Sequence, residues 1–135
     1  MGAARPFTLI AYGYDLGGFE SRTWKVTETN QHGHLDVPWL VDDEFEACSA
    51  AHLENVTGRR LDELGVEFLC YGTSLLNHDW VLAAAGDYVV TEQERHALKE
   101  QQCDAWDDAL ARVLPLLGFT PLQPAPAWLE LAAWL

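Results

Sequence analysis

Positive charge is scarce in this sequence. Lysine occurs only at Lys25 and Lys99, and the eight lysines and arginines face 21 aspartates and glutamates, for a formal net charge of −13 over 135 residues. Proteins bind nucleic acids and acidic membranes by neutralising phosphates with basic side chains, so we expect no direct partner of either kind. A negative field instead attracts basic protein surfaces, such as those of nucleic-acid-handling proteins.

Cysteines and long apolar runs are also scarce. The three cysteines, Cys48, Cys70 and Cys103, have no CxxC spacing, and an odd number of them fits a reducing compartment. No run approaches the roughly 18 apolar residues that a membrane helix needs. The N-terminal residues lack the apolar core and cleavage pattern of a secretory signal. These absences predict a cytoplasmic protein that binds no membrane.

Apolar residues are nevertheless plentiful. They make up 49% of the chain, with six tryptophans, which is typical of a folded protein. The length predicts a single domain over residues 1–135. Residue alternation predicts strands over 6–14, 20–29, 66–72, 79–90 and 127–135. With two main helices, the order ββαββαβ predicts an α+β fold, in which about five mostly antiparallel strands carry both helices on one face.

The two helices begin at different signals. Asp42, Asp43 and Glu44 favour a helix start, and the stripe Phe45, Cys48, His52 and Val56 continues it to a stop at Gly58. Thr91 and Glu94 form a capping box for the second helix. Its stripe is Leu98, Ala105, Trp106, Ala109, Leu110, Val113 and Leu117, and Pro115 is expected to kink or end it.

The negative charge is concentrated in the helical part of the chain. Residues 42–108 contain sixteen acidic and four basic residues. Acids on the outer sides of two helices on one sheet face would form one negative surface. Aromatic residues near the first turn could anchor a partner there. The candidate binding residues are Tyr12, Tyr14, Asp15, Trp24, Asp42, Asp43, Glu44, Glu46, Glu100, Asp104, Asp107 and Asp108.

The segment GYDLGG after the first predicted strand contains glycines that could cradle a phosphate. Its spacing is GxxxGG rather than GxGxxG, and a strand rather than a helix follows. We therefore predict a hairpin turn in which Gly17 or Gly18 has a positive φ and Asp15 accepts hydrogen bonds from nearby amides.

The segment HGHLD predicts an alternative chemistry. His32, His34 and Asp36 alternate, so an extended backbone would place them on one side, where they could hold a divalent metal such as zinc. The spacing resembles the HxHxDH signature of metallo-β-lactamase-like hydrolases over five residues, with Val37 in place of the last histidine. His78 and Asp79 in another loop could complete the site. The alternative reading is a polar loop.

Two further sites use the cysteines. Cys48 with His52, and His96 with Cys103, have spacings that place each pair on one side of a helix, where the four could hold zinc. Cys70 with His78 and Asp79 could form a nucleophilic group. The simpler interpretation of Cys48 and Cys70 is that they are core residues.

The last predicted strand separates its side chains by size. Leu129 and Leu131 share one face, expected to be core, while Trp128 and Trp134 share the other. The tryptophan face either packs beneath a helix or forms a partner or homodimer surface.

Three functional hypotheses follow. The first is a non-enzymatic binding protein or inhibitor without a cofactor, whose acidic helical face docks on a basic partner. It is analogous in size and charge to toxin-immunity proteins and phage-encoded inhibitors. The second is a small metal-dependent hydrolase that uses His32, His34 and Asp36. The third is a structural or accessory phage or bacterial protein.

Overall fold

The computed structural model describes residues 6–18, 23–40, 44–72, 78–87 and 104–134. Within these residues the fold is α+β, with a mostly antiparallel open sheet of five strands, as predicted, and three helices. Its elements in chain order are β1 (Pro6–Gly18), β2 (Thr23–Trp24), α1 (Phe45–Thr57), α2 (Leu61–Leu64), β3 (Glu67–Tyr71), β4 (Asp79–Asp87), α3 (Asp104–Leu117) and β5 (Ala127–Trp134).

The long strand β1 is the centre of the sheet. Along one edge it pairs antiparallel with β4, from Ile10 opposite Asp87 to Gly18 opposite Asp79. Its other edge is divided between β5, which pairs with residues 6–13, and β2, which pairs with residues 17–18. β3 pairs only with β4 in the described sheet, which gives the order β2-β1-β4-β3 with β5 attached to β1. Both faces of β1 carry apolar residues, as expected for a strand that is covered on both sides.

The sheet curls so that its far strands meet. The Gly72 amide after β3 donates a hydrogen bond to the Ala132 carbonyl of β5, at 2.9 Å. Two irregularities in the β1–β4 register, at Tyr12/Gly13 and Asp15/Gly17, accompany this curvature, as bulges usually do. A Cβ atom on Gly13 would lie 1.9 Å from the Leu82 carbonyl oxygen, so only glycine fits there.

The GYDLGG segment is part of β1. The predicted hairpin pairing exists, since Gly17 lies opposite Trp24, but β1 continues to Gly18, and the reversal at 19–22 lies outside the described residues. Gly17 has a φ of +69°, and its amide donates to the Asp15 carboxylate at 3.1 Å. Both details of the turn prediction are confirmed.

The second strand is shorter than the sequence predicted. The Lys25 amide still donates to the Leu16 carbonyl of β1 at 2.7 Å, but the chain then leaves β1, and the Thr27 amide donates to the Thr120 carbonyl at 3.0 Å. Val26 forms an isolated bridge with Pro121. The segment that follows α3 therefore pairs with Val26 and Thr27. The alternation of residues 20–29 had predicted that these residues pair with β1 in a longer hairpin.

The helices pack on one face of the sheet. α3 buries Ala109, Leu110, Val113 and Leu117 as predicted, and it continues through Pro115 for two residues. α1 buries Phe45, Ser49 and Leu53, so the predicted stripe through Val56 is wrong, and Val56 is 49% exposed. Apolar residues occur on several sides of α1, including the exposed Val56, so the hydrophobic periodicity of its sequence could not identify the face that packs on the sheet. The predicted cap at Thr91 lies outside the described residues.

The opposite sheet face has its own small core. It contains Ala11, Leu69, Val81 and Ala83, with Leu129 and Leu131 of β5 packed against them. Trp128 packs on the helical side, which confirms the helix-covered alternative for this residue. No helix in the described ranges is long and apolar enough to span a membrane.

Candidate functional site

The HGHLD segment forms a compact turn. The Asn30 side-chain oxygen accepts hydrogen bonds from the amides of His32 and His34, at 2.9 and 3.1 Å. Thr29 and Leu35 pair as a bridge around it. This arrangement is the polar loop that the sequence offered as the alternative, and an asparagine bonded to following amides is a common cause of such turns.

The loop does not assemble the predicted metal ligands. The rings of His32 and His34 are exposed and their centroids lie 6.3 Å apart, while Asp36 is exposed as well. Across the described part of the chain, no three His, Cys, Asp or Glu side chains converge to hold a metal ion. The site predicted from alternation is therefore not formed here, because the turn at Asn30 prevents the extended backbone on which alternation depends.

The cysteine sites are not assembled either. His52 makes a 2.9 Å contact with the Leu116 carbonyl, so its imidazole is directed at α3. His96 and Cys103 lie outside the described residues. Cys70 lies within the sheet, on β3 opposite Trp80, although part of the residue is exposed. Partial burial of the thiol, with a contribution from the charge of Glu46, raises the pKa of Cys70, which is the opposite of what an activated nucleophile needs.

Asp15 is held inside a polar network. Its carboxylate accepts hydrogen bonds from Lys25 Nζ at 2.7 Å and from the Tyr71 hydroxyl at 2.5 Å. Its side chain is 16% exposed, and the ion pair neutralises its charge. Asp15 therefore ties β3 and the segment after β2 to β1, and contributes little to an external negative field.

Trp24 is not available to a partner. It is 6% exposed and packs against Phe45 with ring centroids 4.9 Å apart. Its prediction as a surface anchor is wrong because α1 covers this end of the hairpin.

An acidic and aromatic cluster forms where the start of α3 meets β1. The Tyr12 hydroxyl donates to Asp107 Oδ1 at 2.5 Å, and the rings of Tyr12, Trp106 and Trp128 lie 5.4–5.7 Å apart. Burial raises the pKa of Tyr14, and the charge of Asp107 adds to that effect. The structure thus brings three predicted residues together, Tyr12, Tyr14 and Asp107.

The remaining predicted acids occupy two ends of the helical layer. Phe45 at the start of α1 packs near Phe119, which follows α3, and His52 contacts Leu116. The two helices are therefore antiparallel, and Glu44 and Glu46 lie roughly 20 Å from Asp104 and roughly 14 Å from Asp108 along the helices, at 1.5 Å per residue. Asp42, Asp43 and Glu100 lie outside the described residues.

A groove runs along α1 between these two ends. Two adjoining cavities of about 570 and 510 Å³ share Ala50 and Leu61 in their walls. We call them together the α1–α2 groove. Its apolar wall includes Ala47, Ala50, Leu61, Val66, Trp80 and Ala84. Four carboxylates border it, those of Glu44, Glu46, Glu54 and Asp62. Glu67 also lines the groove from β3, but strand alternation places its side chain on the other face of the sheet, with Leu69 and Ala83.

The groove contains one basic residue in its described lining, and that residue is engaged. Arg60 lies 3.4 Å from Asp62 and 3.5 Å from Glu63, so its charge is offset locally. The groove therefore combines an apolar surface with a strong excess of negative charge.

Sequence reasoning did not single out most of this groove. Glu46, Ala50 and Glu54 are four residues apart and share one face of α1, a spacing that could have identified acids beside a small residue. No signal in the sequence indicated that Trp80 of β4 would face that helix.

Comparisons with known proteins add no family. No family model matches this chain, and neither the curated proteins nor the solved structures contain a significantly similar one.

Proposed function

We propose that this protein is a non-enzymatic binding protein whose α1–α2 groove takes a basic, amphipathic segment of another protein. The observation that carries the proposal is the groove itself, an apolar surface bordered by four carboxylates with one paired arginine. A peptide helix that presents apolar residues on one face and lysine or arginine beside them matches this surface in shape and charge.

The net charge supports the binding of a basic partner. A chain with a net charge of −13 attracts a basic partner over long distances and accelerates the encounter. Burial of apolar side chains against the walls of the groove would then slow dissociation. Basic surfaces of this kind are typical of nucleic-acid-handling proteins, and occupation of such a surface would inhibit its owner. The excess negative charge on every copy disfavours a homodimer through this groove.

A cytoplasmic location is consistent with this role. Neither Cys48 nor Cys70 forms a disulfide within the described residues, which fits a reducing compartment.

Binding of a defined peptide tests the proposal. The probe is a synthetic helix with leucine on one face and lysine beside it, and the control peptide carries glutamate at the lysine positions. We expect saturable binding of the basic peptide, weakened by added salt, and no binding of the acidic one. Equal binding of the two peptides, or an affinity unaffected by salt, would contradict the proposal.

A matched pair of variants separates the groove from net charge. Ala50 lines both cavities, whereas the neighbouring Ala51 is exposed and does not line them. Ala50→Arg and Ala51→Arg change the net charge equally, so we expect only Ala50→Arg to weaken the peptide, by about tenfold or more. Ala50→Leu fills the groove without a charge and should also weaken binding. Similar affinities for the two arginine variants would show that the groove is not the site.

A further inference from the structure

A third cavity lies on the other side of α2. It measures about 350 Å³ and is lined by Thr57, Arg59, Glu63, Leu64, Arg112, Val113 and Leu116. Arg59 follows α1, Glu63 and Leu64 belong to α2, and the last three residues belong to α3, so the antiparallel helices form this cavity together. Its volume is at the lower end of the range for small-molecule sites.

The two arginines of this cavity, Arg59 and Arg112, are not paired with acidic side chains in the described part of the chain. Neither Arg59 nor Arg112 forms a salt bridge in the ranges that the structure describes, although the sequence contains 21 acidic residues. Asp108 precedes Arg112 by one helical turn, a spacing that permits an ion pair, and none forms.

The carboxylate of Glu63, which lines this cavity, is paired with Arg60 rather than with Arg59 or Arg112. Glu63 Oε1 accepts a hydrogen bond from the Arg60 amide at 3.2 Å and lies 3.5 Å from Arg60 Nε. Arg60 faces the α1–α2 groove rather than this cavity. The basic groups of the cavity are thus left for a ligand, beside apolar surface from Leu64, Val113 and Leu116.

We propose that this cavity binds a small organic anion, in which a carboxylate or phosphate group contacts Arg59 and Arg112 and a compact apolar group contacts Leu64, Val113 and Leu116. Guanidinium groups present paired donors that match the oxygens of both anions. The apolar wall distinguishes such a ligand from an inorganic ion, which would gain nothing from it. This inference concerns a different cavity and does not depend on the proposed function.

The experiment titrates the full chain with four probes and follows amide and methyl signals by NMR. The probes are benzoate, phenyl phosphate, inorganic phosphate and benzylamine. We expect saturable shifts at Leu64, Val113 and Leu116 with benzoate or phenyl phosphate, weaker shifts with inorganic phosphate, and none with benzylamine. The two aromatic anions differ only in the anionic group, so their relative affinities identify the preferred one. Binding of benzylamine at this cavity, or of neither aromatic anion, would overturn the proposal.

Variants of both arginines test the assignment. Arg59→Gln and Arg112→Gln should each weaken the better aromatic anion by about tenfold, because each removes a charge-assisted hydrogen bond. Ala51→Glu changes the net charge by the same amount at an exposed residue outside this cavity, and it should bind as the wild type does. Equal effects of all three would show that only net charge matters. Arg112→Lys keeps the charge without the paired donors, so it replaces Arg112→Gln if that variant does not fold, with weaker binding expected.

Discussion

The indole of Trp39 and the imidazole of His52 lie stacked, with ring centroids 5.4 Å apart and an interplanar angle of 19°. Trp39 Nε1 donates to the Leu117 carbonyl at 2.8 Å, and His52 Nε2 lies 2.9 Å from the Leu116 carbonyl. These carbonyls belong to the last turn of α3, where no helical amide is available to them. The stacked pair therefore caps α3 with side chains from α1 and the segment before it.

This capping contact predicts a difference between two substitutions of His52. His52→Leu removes the donor to the Leu116 carbonyl and should lower the free energy of unfolding by about 1 kcal/mol. His52→Gln retains a side-chain donor and should lose less. Urea denaturation of both variants measures the difference. Identical stabilities would mean that the hydrogen bond contributes nothing to the cap.

Gly13 should be intolerant of any side chain. Gly13→Ala would place a Cβ atom 1.9 Å from the Leu82 carbonyl oxygen, in the backbone of the paired strand. We expect destabilisation of more than about 3 kcal/mol, or failure to fold. Gly58→Ala is the control, since it has open space and a φ of +71°, and it should cost only about 1–2 kcal/mol. Thermal unfolding compares the two, and a mild effect at Gly13 would contradict the close approach of β1 and β4.

The hydrogen bond between Tyr12 and Asp107 should couple β1 to α3. Tyr12→Phe leaves the half-buried Asp107 carboxylate without this donor and should cost about 1–3 kcal/mol. A double-mutant cycle with Asp107→Ala, which removes the acceptor, isolates the pairwise contribution from other contacts of Tyr12. Additive effects of the two substitutions would indicate that the pair has no interaction energy.

Two glutamates should respond to pH with opposite signs. Burial raises the pKa of Glu67, so its ionisation opposes folding at neutral pH. Glu67→Gln should then stabilise the protein, and this gain should vanish as the pH falls below the ordinary glutamate pKa of about 4.3. The change should be less than about 1 kcal/mol because the carboxyl is partly solvated.

Glu28 should behave in the reverse way. Burial tends to raise its pKa, but hydrogen bonds from Thr120 and Thr27 outweigh that effect and lower the pKa. Its contribution to stability is present above the ordinary pKa and is lost as the pH falls through the lowered value. Glu28→Gln should therefore destabilise the protein at neutral pH and have no effect in strong acid. Unfolding measured across pH checks both variants, and the same sign for Glu67→Gln and Glu28→Gln would contradict these assignments.

Local sequence patterns predicted which segments form strands and helices better than they predicted which side of each helix is buried. The alternation in residues 6–14 and the stripe from Ala109 to Leu117 predicted a covered strand and a helix that the structure contains. The stripe on α1 was assigned wrongly, because its buried Ser49 is polar and its exposed Val56 is apolar. The metal prediction at His32 and His34 depended on an extended backbone, and Asn30 folds that segment into a turn instead.

The amino-acid sequence by itself determined the α+β order of elements and the negative net charge, because both follow from local periodicity and from the count of ionisable groups. Tertiary structure alone decided which acids act together. It placed Trp80 against Phe45 of α1, neutralised Asp15 with Lys25, and left Arg59 and Arg112 in one cavity. Such contacts join residues far apart in the chain, and their geometry depends on how the sheet curls and how the helices cross it.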